Sequence, residues 1–116
     1  MAERRRSIHT GHRQRVKDEF SARGLAGWPD HRVLELLLYY AIPQGDVNGL
    51  AHELVERFGS LAGVLDAAEE ELCRVPGVGQ HTAVLLKLIP AAGARYLQSR
   101  ADLGEPVRRT EDAYAL

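Results

Sequence analysis

Leu72-Cys-Arg-Val-Pro-Gly-Val-Gly-Gln-His-Thr-Ala-Val-Leu-Leu86 reads as the end of a short helix, a turn in which two glycines flank an apolar residue, and a second helix opening on polar residues. Gly77 and Gly79 permit a tight hairpin with exposed backbone amides, and Val78 is predicted to plug the space between the helices. Ala83 is small where the second helix must approach the first. The amides of Gly77, Val78, Gly79, Gln80, His81 and Thr82 then lie at a helix N-terminus, where unpaired N–H groups and the positive end of the dipole suit a phosphate. Such contacts run to sugar and phosphate, so the predicted binding is independent of base sequence. The carbonyls of the same turn could hold a monovalent cation bridging to phosphate. The plain alternative is a ligand-free connector between two packed helices.

This turn resembles a helix-hairpin-helix motif. Upstream, Leu54-Val-Glu-Arg-Phe-Gly-Ser-Leu-Ala-Gly-Val-Leu65 has the same outline of helix, glycine and helix but lacks the second hairpin glycine. Two such units predict a tandem arrangement whose first hairpin is degenerate.

The remaining pattern is helical as well, because apolar residues recur at three and four and no period-two alternation is sustained. A helix is predicted over about 11 to 23, with Val16 and Phe20 on one face and Gly24 as its stop. Asp30 is placed to cap a second helix reaching about Ile42, so apolar that it must be central. Asp46 precedes a third with the stripe Val47, Leu50, Ala51, Leu54, Val55 and Phe58, closed by Gly59 as a left-handed cap. Ser60 caps a short fourth, and Glu69, Glu70 and Glu71 load the first turn of a fifth. The sixth begins near Gln80, and Pro90 predicts a kink or break near Ile89. The expected fold is all-α, a compact bundle of five or six short helices. Its expected boundaries are a basic tail over 1–10, the helical domain over 11–101 and a linker over 102–116.

The 116 residues suffice for one core without disulfides or a structural metal. A single cysteine, Cys73, excludes a disulfide framework and a cysteine-rich zinc site, and it is expected to be a small buried residue. With no apolar run of membrane-spanning length, the expected location is the cytoplasm. The formal charge of -1 is uninformative, but its distribution is not: residues 1–24 hold seven basic side chains against three acidic ones. Thirteen of the fifteen basic residues are arginine, whose planar fork suits phosphate. Arg4, Arg5, Arg6, Arg13 and Arg15 are therefore candidate helpers in phosphate binding, the alternative being a solvated tail. His9 and His12 lack a third metal ligand, and no cofactor is expected.

In order along the chain, Gly11-His-Arg-Gln-Arg15, Leu34-Glu-Leu-Leu-Leu-Tyr-Tyr-Ala-Ile-Pro43, Asp46-Val-Asn-Gly-Leu-Ala-His52, Phe58-Gly-Ser-Leu61 and Pro76-Gly-Val-Gly79 resemble the N-terminal domain of RadC-like DNA repair proteins. The resemblance covers about residues 8 to 116 and implies a tandem helix-hairpin-helix domain, similar to the SAM and RuvA C-terminal types, that contacts DNA. Members of that family continue into a larger MPN-type, metalloprotease-like domain with a zinc motif. That motif is absent from this sequence, so the resemblance implies an excised N-terminal domain without hydrolytic activity, with zinc confined to the missing part.

Two other functions fit parts of the sequence. A protein-interaction module holding the missing domain or another partner is one, since Glu69 to Glu71 beside the hairpin would repel phosphate. A DNA glycosylase fragment is the other, because Val75 to Ala83 also resembles the hairpin of that superfamily. Against it, His81 stands where the lyase members carry lysine, and no carboxylate lies between Gly79 and Asp102.

Overall fold

Leu34, Leu36, Leu38, Tyr39 and Ala41 all turn inward from one helix, α2 (Asp30–Ala41), which leaves it almost no solvent face. It is accordingly the central element. Around it the chain forms α1 (Ala2–Arg23), α3 (Asn48–Phe58), α4 (Leu61–Asp66), α5 (Glu69–Cys73) and α6 (Gln80–Asp102). The computed structural model describes residues 2–104, with side chains from residue 11 onward, and among these there is no strand. α2 packs on α1, α3, α4 and α6, and α6 in turn closes over α4 and α5. Val16, Leu34, Leu38, Leu54, Val64, Leu72, Val75 and Leu86 are fully buried, so every helix supplies the core.

The helix ends follow local chemistry. Gly59 takes φ 91° and its N–H donates to the Val55 carbonyl at 2.7 Å, ending α3 as a left-handed cap. Ser60 Oγ accepts from the Gly63 N–H at 3.0 Å and caps α4. Asp46 Oδ1 accepts from the N–H of Asn48, the first residue of α3, at 2.8 Å.

Several expectations are corrected. α1 begins at Ala2, not near residue 11, in keeping with the helix propensity of its Ala, Glu and Arg residues. Phe20 is exposed although Val16 is buried, because α2 covers only one narrow strip of α1. Asp30 makes no cap on its own helix; its Oδ2 accepts from the Leu61 N–H at 2.8 Å and serves α4 instead. Cys73 is exposed, because Leu72 takes the single inward position at that end of the five-residue α5. α6 runs through Pro90 as one continuous helix, which excludes the break of the two expected outcomes, a kink or a break.

Polar groups fasten α1 to α2 on both sides of Val16. On one side His12 Nε2 lies 3.8 Å from Glu35 Oε2, and Arg32 pairs with Glu19. On the other, Arg13 stacks over the Tyr39 ring at 4.6 Å. Among the described residues, the Tyr39 hydroxyl and Glu35 Oε2 are buried without hydrogen-bond partners. Burial first, and then the neighbouring Glu35 carboxylate, push the Tyr39 hydroxyl up to about 12 from its ordinary value. Because the unfolded chain releases this proton near pH 10 and the folded chain only near pH 12, stability is expected to fall as pH rises across that window. Absorbance titration at alkaline pH should show a late tyrosinate step that vanishes in Tyr39→Phe. A Tyr39→Phe titration curve retaining that step would contradict the assignment.

Candidate nucleic-acid interface

The turn between α5 and α6 is built by burying one valine before its two exposed glycines and one between them. Val75 and Val78 are buried, and the Val78 N–H donates to the Val75 carbonyl at 3.0 Å, which folds the chain back on itself. Gly77 takes φ 97°, a conformation open to glycine and costly for other residues. A Cβ there would lie 3.6 Å from both Leu50 δ carbons, so α3 forms the backing of the turn. Gly79 differs: with φ -92° and ψ 178° it is ordinary extended backbone, and a Cβ on it would meet open space. The glycine that the geometry requires is Gly77, while Gly79 leaves the approach to the helix end unobstructed.

Gly79 is the N-cap of α6 and offers no side chain to the first turn. The Ala83 N–H reaches the Gly79 carbonyl at 3.0 Å, while those of Gln80, His81 and Thr82 have no acceptor among the described residues. At the equivalent end of α4, Asp30 takes the Leu61 N–H and Ser60 takes that of Gly63, so of the first three amides that of Ala62 alone has no acceptor among the described residues. α4 has consumed two of its three first-turn donors within the protein, whereas α6 has consumed none of its own. Gln80 and His81 are exposed beside these amides, whereas the Val78 and Thr82 side chains point into the core.

The basic candidates are placed differently from the glycines. Arg13 is committed: its guanidinium donates to the carbonyls of Ile42 and Gly45, each at 2.7 Å, where α2 ends. It closes the α2–α3 loop and leaves little of its fork for a phosphate. Arg15 is exposed on α1, and nothing among the described residues ties it to the hairpin. The side chains of Arg4, Arg5 and Arg6 lie outside the described residues. Arg74, which sequence reasoning passed over, is exposed at the C-cap of α5, directly before the turn. Its signal was its position between the acidic cluster and Pro76. Glu69, Glu70 and Glu71 occupy the opposite, N-terminal end of α5. No group of three or more His, Cys, Asp or Glu among the described residues is arranged to hold a metal. No described helix is long and apolar enough to cross a membrane.

No protein-family model matches the sequence, and no solved structure matches it. Sequence relatives do. A UPF0758 protein of Fusobacterium nucleatum is 38% identical over 79 residues, which are 68% of this chain and 34% of that protein. One from Ruegeria pomeroyi is 39% identical over 89 residues, 77% of this chain and 40% of the relative. Another, from Rhodobacter capsulatus, is 39% identical over 92 residues, 79% of this chain and 42% of its own. The chain thus spans between 34% and 42% of the length of these curated relatives. Over 68% to 79% of its length the chain is similar to these UPF0758 proteins.

Proposed function

We propose that this chain is a sequence-independent DNA-binding module, the helix-hairpin-helix N-terminal domain of a RadC-like protein, with no hydrolytic activity of its own. The observation that carries this reading is the contrast between the two helix ends: Asp30 and Ser60 take two of the three first-turn amides of α4, and α6 leaves all three of its own without an acceptor behind a glycine. A phosphate oxygen accepts from such amides and gains from the helix dipole, and Arg74 and His81 flank the approach. The Phe58–Gly63 turn is then the degenerate partner of the Val75–Gly79 hairpin.

Gly79→Glu tests the reading, because a Cβ there meets open space and the variant keeps its fold while placing a carboxylate where phosphate would sit. Duplex affinity by fluorescence anisotropy should drop about tenfold or more on every sequence alike. The parent's affinity should fall with salt at a slope of about 0.9 per phosphate contact, giving about three to five contacts. A folded Gly79→Glu protein binding duplex as well as the parent would make the hairpin only a connector.

A protein-interaction role is the second reading. Val84, Leu88, Tyr96 and Leu97 are exposed along α6 and Leu103 at its C-cap, and more than half of each relative lies outside the matched region. Under that reading the module positions the remainder of a longer protein, and DNA affinity shows no dependence on salt because there is none to measure.

A further inference from the structure

Tyr40 is 65% exposed on a helix whose neighbouring large side chains are buried. Lys17 Nζ stands 4.8 Å from its ring centroid, and Phe20, one turn further along the same edge of α1, is 44% exposed. We propose that this edge of α1 and α2, formed by Lys17, Phe20 and Tyr40, binds single-stranded nucleic acid, with a base stacked on Tyr40 and its flanking phosphate held by Lys17.

The observations select this occupant by charge and shape together. The segment over residues 1–24 carries seven basic side chains against three acidic ones, a field that favours a polyanion. Glu19, one of the three acids, is already paired with Arg32 on the opposite edge of Val16, and Asp18 accepts from Gln14. Lys17 stands over one face of the Tyr40 ring, and the 65% exposed side chain leaves π-surface for an unpaired base with the ammonium close by for its flanking phosphate. A duplex hides those faces within its stack, so the surface discriminates between the two forms. It stands on its own residues, separate from the hairpin, and does not depend on the hairpin's role.

Fluorescence anisotropy with a labelled oligothymidylate and with a duplex of equal length separates the two surfaces in the full chain. Tyr40→Ala should weaken single-strand binding about tenfold and leave duplex binding nearly unchanged, while Tyr40→Phe should retain it. Lys17→Gln should reduce the single-strand salt slope by about 0.7, the share of one phosphate contact. The proposal is overturned if the parent does not bind the oligothymidylate, if Tyr40→Ala binds it as the parent does, or if Tyr40→Ala weakens both forms equally. It is overturned as well if sedimentation shows the parent to be a dimer that Tyr40→Ala dissociates, since a second copy then covers the edge.

Discussion

Gly63→Ala is expected to destabilise the fold by about 3 kcal/mol, among the largest single effects in the molecule. A Cβ at Gly63 would lie 2.1 Å from the Phe58 carbonyl oxygen and 3.0 Å from its carbon. Both obstacles are backbone, so no rotamer change relieves them. The α3–α4 turn must open, and opening it also weakens the Ser60 cap that accepts from the Gly63 N–H, a bond of the kind that contributes about 1 kcal/mol. Gly93 supplies the control. It lies inside α6, exposed, with open space where its Cβ would be, so Gly93→Ala should stabilise by about 0.5–1 kcal/mol through helix propensity. Urea denaturation of the pair should move the midpoint in opposite directions. Equal effects at the two sites would contradict the close approach of Phe58 to α4.

Arg13→Ala is expected to lose about 3 kcal/mol as well. Its guanidinium donates two charge-assisted hydrogen bonds at 2.7 Å to the Ile42 and Gly45 carbonyls and covers the Tyr39 ring. It also places a positive charge at the C-terminal end of α2, where the dipole favours it. Arg13→Lys keeps the charge but cannot fork between two carbonyls, so it should recover roughly half of the loss. Thermal denaturation followed by circular dichroism measures both variants. Full stability in Arg13→Ala would return this residue to the pool of side chains free to meet phosphate.

The contrast between these residues explains what was legible in the sequence. Local devices were readable because cause and effect lie within a few positions: Gly59 closing α3, Ser60 capping α4, Val78 buried between flanking glycines, and the acidic first turn of α5. Long-range commitments were not. Asp30 looks like the cap of its own helix but serves a residue 31 positions on, and Arg13 looks like a free phosphate ligand but reaches carbonyls 29 and 32 positions away. Nothing in the spacing of either residue signals a partner that only packing brings near. Cys73 and Phe20 failed for a related reason, since apolar character does not say which side of a short or half-covered helix faces the core. At the candidate site the glycine pair was readable, but the division of labour was not. Which of Gly77 and Gly79 takes the positive φ depends on the path of the turn over Leu50.

In the proposed function the first-turn amides of α6 receive phosphate, while those of Leu61 and Gly63 in α4 are already taken by Asp30 and Ser60. Amide-resolved NMR titration with short duplexes of unrelated sequence tests it most directly. The N–H signals of Gly79, Gln80, His81 and Thr82 should shift together, saturably and alike for every duplex, while those of Leu61 and Gly63 stay in place. Shifts elsewhere on the surface with these four amides unmoved, or equal shifts at both helix ends, would contradict it.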